Sequence, residues 1–396
     1  MRQAWRFDFG GSVAPSGWHA VEPATTYLEA QAFGFERDSQ AAAIDRGGPD
    51  ALRRDLITGE GPLFFSVAVP EGNYRVTVTL GDADEAAATT VKTECRRLML
   101  ENVATAAGEF ATRSFLANVH TPAIAPGRSV RLKPREIGIL RWDDKLTLEF
   151  CGPRPAVCGV TVEPVDDAIT VYLAGDSTVT DQVESPWAGW GQMLPRFFRP
   201  ERVVVANHAE SGESLSSFVG ERRLEKVLTT IRGSDYLFIQ FGHNDMKQTG
   251  PDAGAFKNFT RLLKEFVATA HAHGATPVFV TPMHRLEFNA DGDVENSLGD
   301  YPDAMRQVAR EEQVALIDLH EFSREFYETL GPETIKRAFV DQTHSNEYGA
   351  YEFARFIAER IKHSELDLAQ DVVDDLPPPN LNPPTELSAP ADGVGP

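Results

Sequence analysis

Cysteine is scarce in this chain: Cys95, Cys151 and Cys158 are the three among 396 residues. Three cannot build the disulfide framework of a small secreted domain, and no Cys/His spacing reads as a zinc site. For Cys151 and Cys158 two readings stay open, a single bridge in an exported chain or buried free thiols. Long apolar runs are also missing, since no uninterrupted stretch approaches the roughly 20 residues that a membrane span needs. The opening MRQAWRFDFGG lacks the apolar run of a signal peptide, so the expectation is a cytoplasmic chain or one that lost a leader before this numbering begins. Positive charge is short as well: 38 Lys and Arg stand against 59 Asp and Glu, a formal net charge of -21. Nucleic acid and anionic membrane surfaces repel such a chain at long range, so neither is expected as a partner.

The chain does have length, more than one hydrophobic core usually organises, and two domains are expected. Residues 1–165 read as an all-β sandwich or jelly roll. LFFSVAVPEGNYRVTVTLGD is an apolar run, a Pro-Glu-Gly-Asn turn, and then Tyr74, Val76, Val78 and Leu80 alternating with Arg75, Thr77 and Thr79. That pattern predicts a half-buried hairpin. KLTLEFCG and CGVTVEPV add two short strands. Over residues 166–365 the rhythm changes to strands (ITVYLA, RVVVANH, DYLFIQFG, TPVFVTP, VALIDL) alternating with helical stretches such as RLEKVLTTI and DAMRQVAREEQ. This predicts an α/β domain, a parallel sheet with helices on both faces. Residues 366–396 hold no Lys or Arg and many prolines, and are expected to form a disordered acidic tail.

Ligands of such sheets bind at the carboxyl ends of the strands. Four loops there carry residues that make poor sense as packing. Gly175-Asp176-Ser177-Thr178 follows VYLA; Gly212 lies in NHAESGES; Gly242, His243, Asn244 and Asp245 follow YLFIQ; Asp341 and His344 precede the last helix. Singly, each has a plain structural explanation: a helix cap, a turn, or a position with unusual dihedrals. Together they complete one mechanism. Ester cleavage by a hydroxyl needs a nucleophile, a base within hydrogen-bond reach, and a group that orients the base. Ser177, His344 and Asp341 fill those roles, while Ser177 N–H, Gly212 N–H and the Asn244 amide can converge on the oxyanion. The mechanism needs no metal and no other cofactor.

In that order and setting, Gly175-Asp176-Ser177, Gly212, Gly242-x-Asn244 and Asp341-x-x-His344 resemble the four blocks of the SGNH (GDSL-type) hydrolases. The resemblance covers about residues 169–363. It implies a three-layer, flavodoxin-like sheet domain with Ser177 as nucleophile, Gly212 and Asn244 as oxyanion donors, and His344 with Asp341 completing a triad. The symmetrical Gly-x-Ser-x-Gly elbow is absent, and Val179 occupies the place of its second glycine. Within the family, GDSTV, GWGQML, FGHND, TPMHR and DQTHSNEYGA are similar to rhamnogalacturonan acetylesterases. That resemblance implies removal of acetyl groups from pectin, with an acetylated polysaccharide or oligosaccharide as partner. His208 and Glu213 stand where that group is expected to carry arginines, so an acetylated xylan or a small ester remains open as substrate, as does a non-catalytic carbohydrate-binding role. The N-terminal segment FDFGG…GWHAVEPATTYLEAQAFGFE is similar to galactose-binding-like or malectin-like modules of polysaccharide enzymes.

Other residues carry two readings each. Trp18 and Tyr27 are sugar platforms or core aromatics. Trp187 and Trp190 wall an acetyl pocket or pack. His243 and Asp245 touch substrate or shape their loop. His271, His273 and His284 are weighed as metal ligands, but His-Ala-His at a helix end is better explained by the helix C-terminal dipole.

Overall fold

The computed structural model describes residues 3–36 and 39–385. Its chain forms two compact units. The first comprises Met1–Thr121, Pro134–Ala168 and Arg199–Val204; the second comprises Pro122–Lys133, Ile169–Phe198 and Val205–Pro396. The single cut expected at residue 165 is thus crossed by two short segments.

Fourteen strands run through the first part of the chain: β1 Trp5–Phe9, β2 His19–Val21, β3 Phe33–Phe35, β4 Ala42–Asp45, β5 Asp55–Thr58, β6 Leu63–Ala68, β7 Gly72–Gly81, β8 Ala87–Thr93, β9 Arg97–Thr105, β10 Phe110–Val119, β11 Ala123–Ala125, β12 Arg128–Ser129, β13 Lys145–Arg154 and β14 Val157–Val165. In the first unit, one sheet has the order β10-β7-β14-β1-β2, with β5 also on β14 and β4 on β5; the other has the order β3-β6-β13-β8-β9. Tyr74, Val76, Val78 and Leu80 of β7 point into one core, and Phe65 and Val67 of β6 enter the same core. The expected hairpin does not form. β6 pairs with β3 and β13, whereas β7 pairs with β10 and β14. Two apolar faces that must both point inward are satisfied by carrying the chain from one sheet to the other, and the Pro70-Glu71 corner does this. Phe7, Phe9, Phe33 and Phe65 fill the centre with ring centroids 4.9 to 6.4 Å apart. Trp18 and Tyr27 are half-buried outside this cluster, and the Lys145 ammonium lies 4.8 Å over the Tyr27 ring. Cys95 and Cys158 are buried and Cys151 is half-buried, and none of the three forms a disulfide. Burial pushes the Cys158 thiol up to about 12, and its Sγ donates to the Gly81 carbonyl at 3.3 Å.

A five-stranded sheet later in the chain consists of β15 Ile169–Gly175, β16 Val203–Asn207, β17 Tyr236–Gln240, β18 Thr276–Val280 and β19 Ala315–Ile317, in the order β16-β15-β17-β18-β19. The pairs β15–β17, β17–β18 and β18–β19 are parallel. Every residue of β16 and β17 is buried, so both faces of the sheet are covered. The helices are α1 Trp190–Met193, α2 Leu215–Gly220, α3 Arg223–Leu228, α4 Thr260–Ala272, α5 Tyr301–Glu312, α6 Leu319–Leu330 and α7 Glu347–Lys362. Leu262, Leu263, Phe266, Val267 and Ala270 of α4 recur at helical spacing and pack with Leu237, Ile239 and Phe279 of the sheet. α7 starts at Asn346, whose Oδ1 accepts from Gly349 N at 3.1 Å. Among the described residues no helix is long and apolar enough to cross a membrane.

The tail expected from residue 366 begins instead with a 3-10 turn, Asp367–Asp371. Leu368 and Val372 are buried, Val372 bridges Phe198, and the Lys362 ammonium donates to the Val373 carbonyl at 2.7 Å. Two apolar side chains with somewhere to dock outweigh the composition that suggested disorder. Residues 386–396 of the expected tail lie outside the described residues.

Candidate active site

β15 ends at Gly175, where an added Cβ would lie 2.5 Å from Val179 Cγ2, so only glycine lets the chain fold back over itself there. The turn that follows presents Ser177. Its Oγ lies 2.9 Å from His344 Nε2, and His344 Nδ1 lies 2.7 Å from Asp341 Oδ2. Both distances fall in the range a working nucleophile, base and orienter require. Asp341 Oδ1 accepts from the backbone N–H of Thr343 at 2.7 Å and of His344 at 2.8 Å. Partial burial alone would raise the Asp341 pKa; the His344 ring and the two N–H donors hold it below the usual carboxylate value. A carboxylate so fixed keeps the proton of neutral His344 on Nδ1 and leaves Nε2 to accept from Ser177.

Ser177 and His344 are 167 residues apart in the chain, and a β-bridge brings their loops together. Trp187 bridges Asn346, Ala188 N donates to Ser345 O at 3.1 Å, and Ser345 Oγ donates to Ala188 O at 2.9 Å. The loop after β16 is tied to the serine turn in the same way. Thr180 Oγ1 donates to Ala209 O at 2.8 Å, and Gln182 Nε2 donates to Ser177 O at 2.8 Å and reaches Ser211 Oγ at 3.5 Å. Gly212 follows with φ of +79°, a left-handed conformation that favours glycine. Asn244 Nδ2 donates to Glu213 O at 3.0 Å, while its Oδ1 accepts from Lys247 Nζ at 2.9 Å, which fixes which end of the amide faces the Gly212 loop. Bonds of their immediate neighbours therefore draw Ser177, Gly212 and Asn244 into one site.

Asp176 lies outside the Ser177–His344–Asp341 hydrogen-bond relay. It is fully buried, its Oδ1 accepts from Thr178 N at 2.9 Å and Thr178 Oγ1 at 2.8 Å, and its Oδ2 faces His243 Nδ1 at 3.3 Å. Burial would raise its pKa, but the His243 ring and the Thr178 donors hold it below the ordinary value. His243 Nε2 meets the Met283 carbonyl at 3.0 Å. Asp245 accepts from Leu215 N at 3.0 Å and Gly242 N at 3.1 Å, and burial pushes its pKa up to about 7. Of the two readings for His243 and Asp245, these bonds fit loop shaping.

Trp190 is buried and donates from Nε1 to Gln240 Oε1 at 2.7 Å; Gln240 Nε2 donates to Thr178 Oγ1 at 2.6 Å. A chain of hydrogen bonds thus runs from Trp190 through Gln240 and Thr178 to Asp176, the residue before Ser177. Gln240 was not among the expected site residues. Its signal in the sequence is a lone amide at the end of the apolar strand YLFIQ. The His284 ring lies 3.7 Å from that of His320, tilted by 37°, whereas His273 bonds Thr269 O on α4, so the histidines weighed as one metal cluster lie on different elements. Among the described residues no group of three or more His, Cys, Asp or Glu is placed to hold a metal ion.

A serine held by a histidine and a carboxylate, beside backbone and amide donors at the ends of parallel strands, is the arrangement of a serine ester hydrolase. Residues 173–350 match the GDSL-like lipase/acylhydrolase family, and residues 5–115 match the β-agarase/YXIM esterase-like, galactose-binding domain-like family. Rhamnogalacturonan acetylesterase RhgT of Bacillus subtilis (strain 168) is 44% identical over 222 residues, which is 52% of this chain and 94% of that protein. The esterase YxiM of the same organism is 25% identical over 375 residues, 92% of each chain. Its crystal structure superposes with a TM-score of 0.50, covering 92% of this chain and 99% of the other. The chain belongs to the GDSL-like lipase/acylhydrolase family and carries a galactose-binding-like domain ahead of the hydrolase domain.

Proposed function

We propose that the protein is a carbohydrate esterase that removes acetyl groups from a plant cell-wall polysaccharide, rhamnogalacturonan first among them. The observation that carries this reading is the continuous Ser177–His344–Asp341 relay, with contacts of 2.9 and 2.7 Å, in a chain that is 44% identical over 222 residues to a rhamnogalacturonan acetylesterase. Ser177 Oγ attacks the acetyl carbonyl carbon as His344 Nε2 takes its proton. The carbonyl oxygen becomes an oxyanion facing Ser177 N–H, Gly212 N–H and Asn244 Nδ2–H. Collapse breaks the bond to the sugar oxygen, which leaves with the proton from His344. Water, deprotonated by the same nitrogen, then releases acetate from acetyl-Ser177. Each oxyanion donor contributes roughly 3 to 4 kcal/mol to such a transition state.

The strand order and the burial of every residue of β16 and β17 support reading the hydrolase domain as a three-layer, flavodoxin-like sheet over residues 166–365. The N-terminal domain, residues 1–165, is read as a sandwich module that serves the same polysaccharide. The test measures acetate released by the purified protein from acetylated rhamnogalacturonan, acetylated xylan and an aryl acetate. Release is expected to be fastest, per acetyl group, from rhamnogalacturonan. Cleavage confined to the aryl ester would reject the polysaccharide assignment.

A further inference from the structure

Residues 122–133 lie in sequence between strands of the all-β domain but belong to the hydrolase unit. Several bonds fix them there. The Lys226 ammonium donates to Ala123 O at 2.7 Å, Arg131 N donates to Glu221 O at 3.0 Å, and Arg128 Nη2 donates to Glu225 Oε2 at 2.8 Å. The segment ends at Lys133. Its ammonium donates to Ser211 O at 2.7 Å and pairs with the Glu213 carboxylate, thus gripping the residues on both sides of Gly212. Glu213 is completely buried, accepts from Ser217 Oγ at 2.6 Å, and has Arg223 Nε 3.6 Å from Oε1.

We propose that Lys133 is a positioning residue for the oxyanion hole, an inference that rests on reading Gly212 N–H as an oxyanion donor. The Ser211 carbonyl and the Gly212 N–H are the two ends of one planar peptide group and point in opposite directions. An ammonium bonded to the carbonyl oxygen therefore fixes the plane in which the N–H lies. It also draws electron density toward the oxygen and strengthens the N–H as a donor. The second bond, to Glu213, holds the ammonium against the loop and neutralises a buried carboxylate next to the site. Both contacts are to the loop itself, so Lys133 acts through the loop, and its effect is felt when negative charge develops on the carbonyl oxygen.

The test compares full-length wild type, Lys133→Met, Lys133→Arg and Ser177→Ala on an aryl acetate, with rates expressed per site titrated to completion by an aryl phosphonate; Ser177→Ala is expressed per folded chain. Loss of a whole oxyanion donor costs about 100- to 1000-fold in kcat, so loss of its support is expected to lower kcat about 10- to 100-fold with KM within about twofold. Lys133→Arg, which keeps a charged donor, recovers at least part of that loss. A per-site kcat for Lys133→Met within about twofold of wild type overturns the proposal, as does a rise in KM at constant kcat. Full activity of Ser177→Ala would instead overturn the underlying esterase mechanism, so the two failures are told apart.

Discussion

Replacing Asp341 with asparagine exchanges one oxygen for an NH2 group, and the structure dictates which one. Oδ1 accepts from two backbone N–H groups, Thr343 at 2.7 Å and His344 at 2.8 Å, so it must remain the carbonyl oxygen of the new amide. The NH2 then takes the place of Oδ2, 2.7 Å from His344 Nδ1. Two donors cannot share that contact, so the neutral ring turns to the tautomer with its proton on Nε2, facing Ser177 Oγ. A base already carrying that proton cannot accept the one from serine. The expected loss is about 1000- to 10,000-fold in kcat, or roughly 4 to 5.5 kcal/mol at 1.36 kcal/mol per decade. KM should change little, because the amide touches no part of the substrate. Both backbone bonds survive, so the midpoint of thermal unfolding should move little too. Steady-state hydrolysis of an aryl acetate, with melting followed by circular dichroism, gives all three quantities. A kcat loss below tenfold with the fold intact would refute the role given to Asp341.

Three further outcomes follow from the packing. Gln240→Leu leaves the buried Trp190 Nε1 without its acceptor and should lower unfolding free energy in urea by about 1 to 3 kcal/mol; no change would mean the bond is replaced. Gly175→Ala places a Cβ 2.5 Å from Val179 Cγ2 and should cost about 1 to 3 kcal/mol in the same assay while lowering kcat, since the Ser177 turn must shift. Asp8 is buried, neither of its carboxylate oxygens has a hydrogen-bond partner among the described residues, and burial followed by the Asp55 charge pushes its pKa up to about 7. Its folded pKa exceeds the unfolded one, so its contribution is most favourable below about pH 4 and is lost as pH rises through about 7. Asp8→Asn should therefore raise the melting temperature more at pH 8 than at pH 4, and an equal shift at both would count against the buried charge.

The parts of the candidate site legible in the sequence were those announced by an abrupt change of residue type at a strand end. Ser177 after VYLA, Asn244 after YLFIQ and the Asp341/His344 pair before a capped helix each interrupt a regular pattern, and the parallel sheet brings all of them to one edge. Supports lying across the fold left no such mark. Gln240 was visible only as a polar residue, because its partners Trp190 and Thr178 are set by how β15 and β17 align. Lys133 sat inside a stretch read as sandwich, and nothing local to residues 122–133 shows that they belong to the hydrolase unit. The β6–β7 corner misled for a related reason: strand alternation gives the buried face but not which neighbour supplies the hydrogen bonds. At the C-terminus, composition concealed Leu368 and Val372, two side chains enough to seat a turn against α7 and Phe198.

Ser177 Oγ is the atom proposed to accept the acetyl group. Acetate release from acetylated rhamnogalacturonan by the Ser177→Ala protein, set against wild type at equal concentration of folded chain, tests that most directly. Loss of nearly all release is expected, about a million-fold where the serine and its base act as a unit. Release at the wild-type rate would contradict the mechanism at its first step.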